Sequence, residues 1–188
     1  MKHPVPPDSP RSDEPYLSET RVWLEKAVIG LNLCPFARSV YVRGLVRLVV
    51  SQAKEDIALM ADLESELTLL RDTPADRLDT TVLIHPHLLR SFDDYNGFLG
   101  IADGILASMR LRGVIQIASF HPDYVFADAD PGDVTNGTNR SPYPSLHLLR
   151  EASLAKVIAV HPDPSDIYEA NKATMRRLGP GGWKNLLG

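Results

Sequence analysis

Cysteine is almost missing from this chain: Cys34 stands alone, which excludes an intramolecular disulfide framework. No apolar run approaches the roughly 20 residues that span a bilayer, and the N-terminus lacks the charged-then-apolar pattern of an export signal. An excess of one charge is missing too. The net charge is -4, and Lys and Arg are scattered instead of massed, so no basic field attracts nucleic acid. These absences describe a soluble, cytoplasmic protein whose partners include neither nucleic acid nor a membrane. What is present is 188 residues at 44% hydrophobic content, enough for one well-buried core and short for two.

Residues 1–16 are rich in proline and charge without an apolar period, and such a tail cannot bury enough surface to offset its ordering entropy. The expected organisation is therefore a disordered tail over 1–16 and a single α/β domain over 17–188. A helix is expected over 17–32, with Ser18 as N-cap and Leu17 stapled on Val22. Strands are expected in "GLVRLVVS", "DTTVLIH", "GVIQIASF" and "KVIAVH". Helices are expected between them, one with Ile57, Met60, Leu63, Leu67 and Leu70 on a single face, another with Phe98, Ile101, Ile105 and Met109. "SLHLLREASL" reads as a helix before the last strand and "DPSDIYEANKATMRRL" as one after it. Alternating strands and helices argue for a mainly parallel four-stranded sheet with flanking helices. The alternative is a ferredoxin-like plait with an added N-terminal βα unit, which "YVFAD" as an extra strand would produce.

Three expected strands end on His-Pro, at His85, His121 and His161. In a parallel sheet these imidazoles leave from the C-terminal edge, where open α/β sheets place ligands, and they are candidate ligands for a divalent metal such as zinc or iron. "HPH" over 85–87 adds a weak close-spaced pair. The plain alternative is that proline punctuates a strand and a histidine tolerates a half-exposed strand end. Asp123 is then either an orienting partner of an imidazole or a turn residue, and Asp163 a helix cap.

About 25 residues after the third strand, "HPDYVFADADPGDVTNGTNRSPYPS", show little periodicity, and loops of that length are commonly functional or mobile. Its carboxylates, Asp128, Asp130 and Asp133, lack the spacing of a calcium loop. Arg140 could clamp a small anionic molecule or pair with the acidic loop. Cys34, followed by Pro35, would cap a short helix and gain thiolate character there, or else sit buried as a small hydrophobe.

"GLNLCPFA" (30–37), "SFHPDYVF" (119–126) and "NRSPYPSLHLLRE" (139–151) resemble the signature blocks of a family of small, mostly bacterial proteins, domain of unknown function 1415. The resemblance implies no activity, substrate or cofactor. It does imply that Cys34, His121, Arg140, Ser141, Tyr143 and His147 lie where the family is recognised, and it leaves His85 and His161 outside. The function expected is a metal-dependent enzyme acting on a small anionic substrate, with Cys34, Asp123 and Arg140 in catalysis. Arg140, Ser141, Tyr143 and His147 would bind the ligand, and His85, His121 and His161 the metal. The alternatives are a non-catalytic ligand- or protein-binding domain and a metal-free enzyme using Cys34 with His121 or His147.

Overall fold

Period-two runs of branched residues make the strands, and the positions between them decide which helix each strand face receives. The computed structural model describes residues 13–159 and 164–187. Strand β1 is Val46–Val50, β2 Thr80–Ile84, β3 Ile115–Phe120 and β4 Ser145–Arg150. Helix α1, Glu14–Trp23, runs into a π-helical stretch, Leu24–Ile29, and then comes the short α2, Ala37–Val42. Helices α3 (Asp56–Asp72) and α4 (Phe92–Ser108) connect β1 to β2 and β2 to β3. A single 3₁₀ segment, Val134–Asn139, interrupts the long loop, and α5 (Glu151–Ile158) and α6 (Pro164–Leu187) close the chain.

The sheet order is β1-β2-β4-β3. β1 and β2 are parallel, while β4 lies antiparallel to both β2 and β3, so the sheet is mixed and neither mainly parallel nor a plait. The discrepancy has a local origin. "SLHLLR" is a strand, not a helix: Leu146 and Leu148 alternate into the core at 0% exposure while Ser145 and His147 take the other face. It fills the gap between β2 and β3, whose facing N–H and C=O groups need partners. α5 follows without a turn and takes up residues 156–158 of the expected fourth strand; 160–163, with His161 and Asp163, lie outside the described residues. "YVFAD" is not a strand: 124–126 carry no regular structure and 127–128 turn.

α3 and α4 cover one face of the sheet. Leu59, Leu63, Leu67 and Leu70 of α3 are all at 0% exposure, each such side chain contributing about 1.5–3 kcal/mol on leaving water. The seam is rotated from the expected one, since Leu59 is buried and Ile57 is 69% exposed, and in α4 Tyr95 and Ala102 take the place of Ile101. Under this layer Arg47 of β1 meets Glu66 of α3 through paired hydrogen bonds of 2.9 and 3.1 Å.

The N-terminal helices cover the opposite face. α1 starts at Glu14 with Pro15 in its first turn, so Ser18 lies inside it and not at its cap. Trp23 is 2% exposed, packs edge-on against Phe120 and donates its indole N–H to the carbonyl of Arg140 at 2.9 Å. The helix widens into the π turn and ends at Gly30, where a Cβ would collide with the carbonyl oxygen of Lys26. Such widenings recur beside functional sites, and here the π turn forms the roof of a cavity. Among the described residues no helix is long and apolar enough to cross a membrane.

Candidate functional site

Sequence spacing drew attention to the C-terminal edge of β2 and β3, and the structure does bring His85 and His121 together there. Both are at 0% exposure and flank Tyr95 of α4, with ring centroids 5.7 and 5.1 Å from it. β4 separates the two strands, so Tyr95 fills the interval. Its hydroxyl donates to the carbonyl of Ser145 at 2.8 Å and accepts the N–H of Phe120 at 3.0 Å.

The imidazoles are engaged with backbone. His85 donates from Nδ1 to the carbonyl of Leu88 at 3.2 Å, and His121 from Nε2 to the adjacent carbonyl of Leu89, also 3.2 Å. The remaining nitrogen of His121, Nδ1, accepts the N–H of Asp123 at 3.0 Å. Asp123 thus orients the ring through its main chain, and its carboxylate is exposed. Nε2 of His85 is left buried without a partner. Burial lowers both basicities, that of His85 to about 4, so both rings are neutral at pH 7 and pin the 86–90 loop. Among the described residues no group of three His, Cys, Asp or Glu side chains is placed to hold a metal ion.

The long loop is a stitched structure. Asn136, at 0% exposure, accepts the N–H of Phe126 at 3.0 Å and donates to the carbonyl of Asp130 at 2.8 Å. Asp133 caps the 3₁₀ segment through Thr135, while Asp128 faces Tyr168 and Lys172 of α6, so these two carboxylates go to separate tasks. Arg140 donates to the carbonyls of Tyr124 at 3.3 Å and Pro131 at 3.0 Å, which spends its guanidinium on holding the loop. Ser141 donates to the carbonyl of Tyr143 at 2.7 Å, and Tyr143 donates its hydroxyl to Glu19 of α1 at 2.6 Å.

His147 and Cys34 are placed differently. Between the sheet and the N-terminal helices lies a cavity of about 590 Å³, and both residues line it. The strand register explains its position. On this face Val82, His147 and Ala118 form one row across β2, β4 and β3. Ala118 is too small to fill its place, and the π turn with Leu24, Val28 and Ile29 closes the roof. The exposed members of the lining are Ser39, Arg43, Ala75, Asp76 and Lys156, so the mouth opens beside α2, the loop before β2, and α5. That is the N-terminal end of the parallel strands, the opposite edge from His85 and His121.

Electrostatically the interior is quiet. His147 lies 2.6 Å from Thr80 Oγ1, and Thr80 donates its hydroxyl to the carbonyl of Leu148 at 2.7 Å. Burial depresses the basicity of His147 to about 4. Cys34 does not cap α2, which starts at Ala37 behind Phe36. Burial pushes its thiol above the ordinary value, opposed by the N–H groups of Phe36 and Ala37. Tyr41, raised to about 12 by burial and by its hydrogen bond to Glu25, is likewise neutral. Arg150 is tied to the carbonyls of Leu70, Thr73 and Leu78, and Asp79 accepts the hydroxyl of Ser153 at 2.6 Å.

Thr80, Trp23, Ala118 and Tyr95 went unnoticed in the sequence. The signal for the first was the alternation of Leu146 and Leu148: taken as a strand, it puts His147 on the face that Thr80 and Val82 share.

The fold and site define a mixed α/β domain with one four-stranded sheet, a stitched loop at one edge and a roofed cavity opening at the other. The chain belongs to the family described as protein of unknown function DUF1415, whose model matches residues 16–185. No curated protein and no solved structure matched the chain.

Proposed function

We propose that this protein is a small-molecule-binding domain that takes a neutral, largely apolar compound into the cavity beneath the π turn. The observation that carries this reading is the lining: Trp23, Val82 and Phe120 supply apolar wall, and Cys34 and His147 among them are held uncharged by burial. Arg150 and Asp79 of the lining are already engaged with backbone carbonyls and Ser153, so a charged ligand would have to compete for them as it lost its hydration, whereas an apolar one gains about 25 cal/mol for each Å² it buries. The volume, about 590 Å³, falls in the range of small-molecule sites. An anion clamp at Arg140 draws less support, because that guanidinium already serves two carbonyls. A metal centre at the opposite edge would find Nε2 of His85 free but would need a nitrogen of His121 released from its backbone partner.

The test uses the neutral fluorophore N-phenylnaphthylamine. The wild-type chain is expected to bind it with enhanced emission, and Ala118→Phe, which fills the cavity from the floor, is expected to lose that binding with an unchanged thermal midpoint. Equal emission from the two proteins would overturn the reading.

A cysteine-dependent reaction is the second reading, favoured by one observation: Cys34 shares its cavity with His147. With the thiol held protonated, Cys34 is expected to react with iodoacetamide at pH 7.5 more slowly than free cysteine does. A faster rate would restore the nucleophile.

A further inference from the structure

Thr80 has a single proton to give. A carbonyl oxygen cannot donate, so the 2.7 Å contact with Leu148 is where the threonine hydroxyl points. At 2.6 Å the partner Nε2 of His147 must then be the donor to Thr80 Oγ1, and the ring carries its proton on Nε2. Nδ1 is left as a bare lone pair. It makes no hydrogen bond among the described residues. Nor is it sealed away: the buried side-chain nitrogens and oxygens without partners belong to Thr20, Thr81 and His85, so Nδ1 of His147 borders open space, which here is the cavity.

We propose that Thr80 and His147 together select the ligand: Thr80 locks the imidazole as an acceptor, and the cavity thereby takes an apolar molecule bearing one uncharged hydroxyl or N–H donor placed at Nδ1. This rests on the cavity being a binding site and adds the chemistry that site distinguishes. A free histidine would accept either hydrogen-bonding sense by moving its proton between nitrogens. Here the move would set Nε2 and Thr80 Oγ1 facing each other at 2.6 Å without a proton between them, unless Thr80 gave up Leu148. The ring stays neutral at pH 7 because burial has lowered its basicity, so it does not offer a second donor by protonation. An ether, or any ligand offering only lone pairs at that point, faces lone pair against lone pair and leaves the acceptor unpaired.

Indole and N-methylindole are suitable probes: both are neutral and apolar, and only the first has a donor. Titrated by tryptophan-independent calorimetry, indole is expected to bind the wild-type chain about three- to tenfold more tightly than N-methylindole, the margin of one net hydrogen bond. His147→Leu is expected to bind the two alike. Thr80→Val, isosteric and unable to hold the tautomer, is expected to shrink the margin while keeping affinity for N-methylindole. Nitrogen NMR of the wild-type imidazole gives a check that needs no variant, with an unprotonated Nδ1 signal for His147 expected. Equal affinity for the two indoles, or a protonated Nδ1, would overturn the selection while leaving the cavity reading intact. Failure of both indoles to bind would overturn both.

Discussion

Replacing Arg47 by Met is expected to lower the unfolding free energy by about 3–5 kcal/mol, because it leaves the carboxylate of Glu66 buried beneath α3 with its guanidinium partner removed. The two side chains are 8% and 11% exposed and meet through two hydrogen bonds, so neither charge recovers its hydration while the fold persists. Arg47→Met with Glu66→Met is expected to regain most or all of the loss, since two apolar side chains of similar size replace the pair without stranding a charge. Chemical denaturation of the wild type and both variants decides it. If the single variant unfolds at the wild-type midpoint, the pair is not buried in solution. The exposed pair of Arg71 and Asp72 has contacts as short as 2.6 Å and is expected to show no measurable effect, which separates burial from distance as the cause.

Acid is expected to have a comparable effect through the histidines. In the unfolded chain His85 titrates near its ordinary value of 6.5, and in the fold burial lowers it to about 4. Between those values the unfolded state holds more protons than the folded one, so stability falls as pH drops from above 6.5 to below 4. A displacement of this size corresponds to about 3 kcal/mol for His85, at about 1.4 kcal/mol per unit. His147 shifts in the same direction and to a similar value, with a smaller contribution, since its ring borders a cavity that admits water. Denaturation midpoints from pH 7.5 to 4 in the wild type and His85→Leu test this. The variant should lose a clear part of its slope in that window, the remainder belonging to His121 and His147, and an undiminished slope would assign the acid response to other groups.

Three of the four strands could be read directly from the chain. β1, β2 and β3 are short runs rich in branched residues, and α3 and α4 between them carry apolar residues at helical spacing, so local pattern and global fold agree. The pattern fails at β4. "SLHLLREASL" contains leucines that suit either period and passes from strand to helix without punctuation, and "KVIAV" has the branched residues of a strand but starts in the last turns of α5. What makes residues 145–150 a strand is the vacancy between β2 and β3, and no local window contains that information.

The candidate site divides in the same way. That His85 and His121 would share an edge follows from their place at two strand ends, and they do share it. That the carbonyls of Leu88 and Leu89 would occupy them could not be seen, because those partners depend on the path of a loop. The cavity was still less visible. It is assembled from residues near 23–43, 75–82 and 118–156, and nothing in the spacing of those segments announces that they meet.

The position of β4 also sets an order of events during synthesis. β2 and β3 cannot pair with each other, since the strand that joins them is the last of the four to leave the ribosome. Until Arg150 has emerged, each presents an unpaired edge, and β2 is buried along its whole length in the finished fold. A nascent chain halted between β3 and β4 therefore exposes both facing edges to other chains, and pairing of β4 on both sides removes them in one step.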